Sequence, residues 1–370
     1  MKIVFTTGGT GGHIYPVIAI IREIKKIQPD SKIWFIGTRV DYGLKELQDL
    51  NVVIKIIPAG KFRRNFNPKT LVQNFIDLFK IPLGTIKSFF ILKKINPDLV
   101  FGKGGYASVP VIVAANKLKI PIYIHESDTI PGKATKIAAK YAKKIFTSFS
   151  ESQGINNTVM VGNPIRKELL EGDNDKAIEY FDLKNDKPII FIVGGSQGAE
   201  RINDLVLQVL TQLLEKYEVI HQCGKKSVNE VNATAQVMVK DDELLKYYHS
   251  YGYLDQERLR LAMNISHLIV SRAGGGFIFE IAALGKPSIL IPLPEAAQNH
   301  QAKNAYEYAK GGGTVVMEPK NPTPRLLLQN VTKVFSDPIK LSQMKKAALA
   351  FAKVDSAEKI AQEIIKGTVK

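Results

Sequence analysis

Short apolar runs alternate with longer amphipathic stretches along most of the chain. KIVFTT (2–7), KIWFIG (32–37), residues 52–58, PDLVFG (97–102), IPIYIH (120–125) and residues 144–148 are too short for buried helices and too continuously apolar for strands with one solvated face. Strands buried on both faces of a parallel sheet have this pattern. Between them, residues 14–26, 108–118 and 132–142 carry helical periodicity, which predicts a doubly wound α/β architecture. The pattern then restarts with PIIFIV (188–193) and continues through 217–221, HLIVS (267–271), 287–292 and 313–317. Two halves that each open with strand, glycine-rich turn and helix predict two Rossmann-like domains, and 370 residues suffice for two cores. Gly162-Asn163-Pro164 interrupts the alternation and marks the expected boundary, with domains over 1–162 and 163–336. Residues 337–370 are expected to form one or two terminal helices, with packing back on the first domain as one arrangement.

Ligands of such folds bind beyond the carboxyl ends of the strands, and two such domains facing each other would hold one substrate each in the cleft between them. Gly8-Gly9-Thr10-Gly11-Gly12 follows the first strand and leads into a helix, so its amides can approach an anion closely. A dinucleotide fingerprint would need a third glycine where Ile14 stands and an acid after the second strand, where the chain reads Gly37-Thr38-Arg39. The dehydrogenase reading fails on both counts. His13 starts the helix after the glycines. The positive helix terminus keeps an imidazole neutral and able to accept a proton, so His13 is the candidate general base.

Gly194-Gly195-Ser196-Gln197-Gly198 repeats this logic in the second half, with a hydroxyl and an amide added. Gly102-Lys103-Gly104-Gly105-Tyr106 and His125-Glu126-Ser127-Asp128 end two further strands and fall on the same rim as His13. Glu280 is the only charge in the apolar run FIFEIAALG, whose helix is expected to stop at Gly285 with Pro287 beyond. Its carboxylate needs a partner. A ribose diol and a local arginine such as Arg272 both satisfy that need, and the residues alone leave the choice open. Asp173 and Asp175, in EGDND, read as solvated loop. With no metal-ligand cluster in the sequence, neither metal nor cofactor is expected. A departing diphosphate would then be stabilised by helix termini and glycine amides.

Composition narrows the setting. The single cysteine, Cys223, forms no internal disulfide, and no stretch of eighteen apolar residues is free of charge. The N-terminus lacks the pattern of a secretory signal. A net charge of +16 points to an anionic surface, either nucleic acid or a membrane leaflet. The lack of zinc-finger spacing and of an RNA-binding aromatic signature turns the expectation away from nucleic acid.

GGTGGH (8–13), GKGGYASVP (102–110), HES (125–127), GNPIR (162–166), GGSQGA (194–199), SRAG (271–274) and EIAALGKP (280–287) occur in one order along nearly the whole chain. In this combination the sequence resembles the MurG family of N-acetylglucosaminyltransferases. The resemblance implies a GT-B fold, with UDP-N-acetylglucosamine held mainly by the C-terminal domain. The implied acceptor is undecaprenyl-diphospho-N-acetylmuramoyl-pentapeptide, bound by the N-terminal domain at the cytoplasmic face of the cell membrane, where other cell-wall synthesis proteins are further candidate partners. Transfer to the 4-hydroxyl of the muramoyl sugar would be inverting.

By motif, Ser196 and Gln197 match the donor diphosphate turn, Arg166 a linker arginine near the donor, Glu280 the ribose-binding acid and Leu254 the position whose backbone meets uracil. Thr10, Gly11, Gly12, Asp128 and Gln301 match contacts around the donor sugar, while Gly8, Gly9, Gly104, Gly105, Tyr106 and Glu126 line the acceptor side. Asp128 stands where many members have asparagine, and Gly275 to Phe279 departs from the family's loop into the ribose helix. The rival readings are another GT-B enzyme, such as a glycolipid synthase or a UDP-sugar 2-epimerase, and a non-catalytic sugar-nucleotide-binding scaffold.

Residues 61–94 add one more expectation. Leu71, Val72, Phe75, Ile76, Leu78 and Phe79 recur at helical spacing, flanked by Lys61, Arg63, Arg64, Lys69, Lys80 and Lys87. Such a helix either packs on its own sheet or lies in a membrane interface. An acceptor with a polyprenyl tail favours the second, with an anionic leaflet as partner.

Overall fold

The computed structural model describes residues 1–8, 11–39, 43–60, 67–150, 155, 157–194, 200–293, 299–318 and 322–368. The chain forms two compact units, Met1–Ile165 with Lys353–Lys370, and Arg166–Ala352.

The first unit holds a parallel sheet of β1 (Lys2–Thr6), β2 (Lys32–Gly37), β3 (Val53–Ile56), β4 (Leu99–Gly102), β5 (Ile122–Glu126), β6 (Lys144–Thr147) and β7 (Thr158–Met160) among the described residues. Their order is β3-β2-β1-β4-β5-β6-β7. β1 pairs in parallel with β2 and β4, and β4 with β5. β1, β4 and β5 are therefore neighbours, and their carboxyl ends lie side by side. Ile3, Phe5, Phe101 and Phe146 are fully buried against the helix Gly11–Ile27 on one face, while Val4, Val100 and Ile124 pack into a second cluster. That two-sided burial is what the continuously apolar runs encode.

The second unit holds β8 (Ile189–Val193), β9 (Glu218–Gln222), β10 (Tyr248–Tyr251), β11 (Leu268–Ser271), β12 (Ser288–Leu290) and β13 (Thr314–Val316) in the order β10-β9-β8-β11-β12-β13, again parallel. The reversal of strand order beside β8 is the topological switch point at which α/β sheets bind ligands.

The chain passes between units after Ile165, where the pattern marked Gly162. Asn163 is buried in the first unit and accepts a hydrogen bond from Lys103 Nζ at 3.1 Å, so the chain detaches only beyond it. The terminal residues also divide differently. The helix Pro338–Phe351 belongs to the second unit, where Phe351 packs on Phe279 and Tyr308. The helix Ser356–Thr368 belongs to the first, inserting Ile360 and Ile364 beside Ile3 and Phe5. Gly285, at φ +60°, ends the helix Gly275–Ala283. That helix begins where a departure from the family's loop was noted, and Ile278 and Phe279 are core residues. Asp173 is in the exposed loop as expected, where it caps the helix Asn174–Phe181 by accepting from Lys176 N, whereas Asp175 lies in the first turn of that helix.

Candidate active site

In the first unit, His13 and the loops after β1, β4 and β5 form one cluster. Gly8 follows β1, and Gly105, at φ +78°, lies in the loop after β4. A Cβ on Gly105 would stand 2.5 Å from Gly8 N, and one on Gly8 would stand 3.1 Å from His13 Cδ2. The two loops touch backbone to backbone, which only glycine allows. Gly104, at φ +62°, lies on the other side of the ring, its Cβ position 3.8 Å from His13 Cε1. Tyr106 is half-buried in the same loop, and Gly11 and Gly12 start the helix Gly11–Ile27, Gly12 exposed. Gly9 and Thr10 lie outside the described residues.

Charge is concentrated beside this ring. Lys103 is fully buried, its Nζ bonded to Ser127 Oγ and Asn163 Oδ1. Burial depresses its pKa to about 8, against the opposing pull of Glu126 and Asp128. Glu126 accepts from Asp128 N at 3.0 Å and Gly132 N at 3.3 Å. Burial and the charge of Asp128 raise its carboxyl pKa. His13 is pushed down to about 4, first by burial and then by Lys103, with Asp128 opposing. Its Nδ1 is buried without a hydrogen-bond partner among the described residues. The sequence expected a neutral imidazole from the helix terminus; the structure assigns that neutrality chiefly to burial and to Lys103. His125 instead hydrogen-bonds to Gly162 O at 2.9 Å and is held in place by the backbone.

In the second unit, Glu280 meets Arg166. Arg166 Nε donates to Oε1 at 3.0 Å and Nη2 to Oε2 at 2.9 Å, both side chains being buried. Arg272, the local partner considered from sequence, donates instead to Gly194 O at 3.4 Å. Leu254 N donates to Gln222 Oε1 at the carboxyl end of β9. Gln301 Oε1 accepts from Leu293 N beyond β12. Asn203 links His221 Nε2 at 3.1 Å to Cys223 O at 3.0 Å, tying the helix Glu200–Leu207 to β9. Ser196 and Gln197 lie outside the described residues.

Lys103, Asn163, Asn203 and Gln222 were not singled out from sequence. Lys103 stood inside the quoted glycine motif, and a lysine between glycines at a strand end was the available signal. Asn163 likewise stood inside the quoted GNPIR stretch, while Asn203 and Gln222 carry no local signal.

Two family models match. Residues 3–147 match the glycosyltransferase family 28 N-terminal domain, and residues 189–364 match its C-terminal domain. The chain belongs to glycosyltransferase family 28. It is 35% identical over 354 residues to the UDP-N-acetylglucosamine–N-acetylmuramyl-(pentapeptide) pyrophosphoryl-undecaprenol N-acetylglucosamine transferase of Clostridium kluyveri, covering 94% of this chain and 95% of that one. The enzyme of the same name from Treponema denticola is 35% identical over 342 residues, covering 88% and 86%. The crystal structure of Acinetobacter baumannii MurG is similar with a TM-score of 0.73 at 25% identity, covering 99% of each chain. UDP-GlcNAc 2-epimerase from Neisseria meningitidis, at 15% identity and a TM-score of 0.68, shares the fold. This family 28 member is thus a glycosyltransferase with two Rossmann-like units of the GT-B class.

Proposed function

We propose that this glycosyltransferase moves N-acetylglucosamine from UDP-N-acetylglucosamine to the 4-hydroxyl of undecaprenyl-diphospho-N-acetylmuramoyl-pentapeptide, with His13 as general base. The observation that carries the catalytic assignment is a half-buried imidazole, its pKa depressed by burial and Lys103, set between two glycine loops at adjoining strand ends. The activity for which the relatives are named supplies the substrates.

In this reading Gly8, Gly9, Gly104 and Gly105 bring backbone close to the acceptor diphosphate, with Tyr106 and Glu126 beside it. The 4-hydroxyl gives its proton to His13 as its oxygen bonds to the anomeric carbon from the face opposite UDP. The bond from that carbon to the diphosphate oxygen breaks, and its electron pair leaves with UDP. Inversion follows from this single displacement. Ser196, Gln197 and Gly194 hold the leaving diphosphate. Glu280, oriented by Arg166, accepts from the ribose hydroxyls, and the backbone at Leu254 meets uracil. Thr10, Gly11, Gly12, Asp128 and Gln301 address the donor sugar.

The helix Pro68–Ile95 supports a membrane-bound acceptor. Phe75 and Phe79 are 64% and 54% exposed, and Leu71, Val72, Ile76 and Leu78 are exposed with them. The opposite face is anchored, since a Cβ on Gly84 would meet Pro58 O at 2.1 Å. No helix among the described residues is long and apolar enough to cross a membrane. An unpaired apolar face beside basic residues is suited to lying in an anionic interface at the cytoplasmic leaflet.

UDP release tests the reaction class. Release is expected only with the lipid acceptor present. Acceptor-independent release with free sugar would instead indicate an epimerase.

A further inference from the structure

At the amino ends of the second sheet's strands, opposite its glycine turn, lies a cavity of about 410 Å³. Its donor groups come from three places. His267 precedes β11, Lys286 precedes β12, and Lys345 comes from the helix Pro338–Phe351. Asn174, Asn185 and Asn264 complete the polar wall, and no lining residue is acidic.

The groups around it are arranged as donors. His267 Nδ1 accepts from Ile189 N at 3.0 Å, so the neutral ring carries its proton on Nε2. Lys286 Nζ donates to Ser266 O at 2.8 Å and to Asn264 O, which leaves its third N–H. Lys345 makes no hydrogen bond or ion pair among the described residues. The half-buried Lys286 ammonium is depressed to about 8 by burial and by Lys345, and no carboxylate offsets them. His267 is lowered by burial and by the same two lysines. Two ammonium groups and an imidazole N–H around one cavity whose lining holds no acidic residue form a donor set that an anion would fill.

We propose that this cavity is a second binding site, for a small soluble anion bearing a phosphate or diphosphate group. Point-charge lysines and an N–H donor suit an anion with several oxygens, and the volume exceeds that of a halide many times over. Asn174, Asn185 and Asn264 line the cavity with polar groups, with only Ile178, Ile265 and Leu284 as apolar side chains, which favours a small soluble ligand over a lipid headgroup. The inference does not depend on the transfer reaction, because these residues lie at the opposite end of the strands from the glycine turn.

The test is calorimetric titration of pyrophosphate into the full chain already saturated with UDP, so that a nucleotide-diphosphate site is filled. Further binding is expected, of which one equivalent, separate from any at the acceptor-diphosphate loops of the first unit, belongs to this cavity. Lys345→Met, at an exposed position, should weaken that equivalent about tenfold or more. Lys286→Met should do the same if circular dichroism shows it folded. Lys346→Met, removing the neighbouring surface charge, should leave it nearly unchanged. The proposal is overturned if UDP-saturated protein binds no pyrophosphate, if Lys345→Met binds as wild type does, or if Lys346→Met weakens binding equally.

Discussion

Arg166 and Glu280 are joined by two parallel hydrogen bonds, Nε to Oε1 at 3.0 Å and Nη2 to Oε2 at 2.9 Å. The arginine neutralises a buried carboxylate and fixes its rotamer, while each oxygen keeps a lone pair for another donor. Arg166 is therefore the positioning residue for Glu280.

Glu280→Ala should weaken UDP binding by roughly 1.5–3 kcal/mol, the cost of a lost charge-assisted hydrogen bond. UDP and its 2′,3′-dideoxy analogue should then bind the variant alike and the wild type differently. Equal calorimetric affinities for wild type would assign Glu280 a purely structural partnership with Arg166. Arg166→Ala leaves a buried carboxylate unpaired and should cost about 3–5 kcal/mol of stability, read from denaturant unfolding.

His13→Ala should lower kcat by about 10²–10⁴ with donor affinity unchanged. The pH profile supplies an independent readout. With His13 held near 4, the base remains unprotonated at neutral pH and is lost only as pH falls through that value. Lys103→Met removes a charge that depresses His13, so the acid limb should move to higher pH, towards the ordinary histidine value. An unmoved limb in a folded Lys103→Met variant would remove Lys103 from this role.

Two glycine substitutions should act in opposite directions. Gly105→Ala forces a Cβ to within 2.5 Å of Gly8 N at a positive φ. It should cost about 1–3 kcal/mol and lower Tm by several degrees. Gly12→Ala meets nothing within 4 Å on an exposed helical turn and should stabilise the fold by up to ~1 kcal/mol of helix propensity, raising Tm slightly. Scanning calorimetry on the two variants checks the pair.

Phe75→Ser with Phe79→Ser should reduce sedimentation with anionic vesicles and leave Tm nearly unchanged, because both rings are exposed. Arg63→Glu with Arg64→Glu, at positions outside the described residues, should reduce it too, and salt should weaken the wild type if charge contributes, since surface electrostatics is screened over about 10 Å at 0.1 M. Salt-insensitive binding that survives both pairs would exclude this face as the membrane contact. Unfolding of the phenylalanine pair would make it core.

The strands buried on both faces were the most legible part of the sequence, because a continuous apolar run such as PIIFIV has few other uses. β7 and β10 were not legible. Tyr248–Tyr251 is half-buried at the sheet edge, and Val159 and Met160 are exposed, so neither has the apolar signature of a central strand. The convergence of the first-unit glycine loops and His13 at adjoining strand ends was legible, since clustered glycine there has a steric purpose that pattern reading can find. The charge that controls His13 was hidden. Lys103 lies 90 positions away in the chain and acts only once β1 and β4 pair. Glu280's need for a partner was legible from its apolar surroundings, but Arg166 is 114 residues distant and lies beyond any local pattern.

The central claim is tested most directly by incubating the protein with UDP-N-acetylglucosamine labelled in the sugar and undecaprenyl-diphospho-N-acetylmuramoyl-pentapeptide, then extracting the lipid. Label should enter the lipid fraction with wild type and nearly vanish with His13→Ala. Label that stays water-soluble with wild type, or enters lipid equally with His13→Ala, would contradict it.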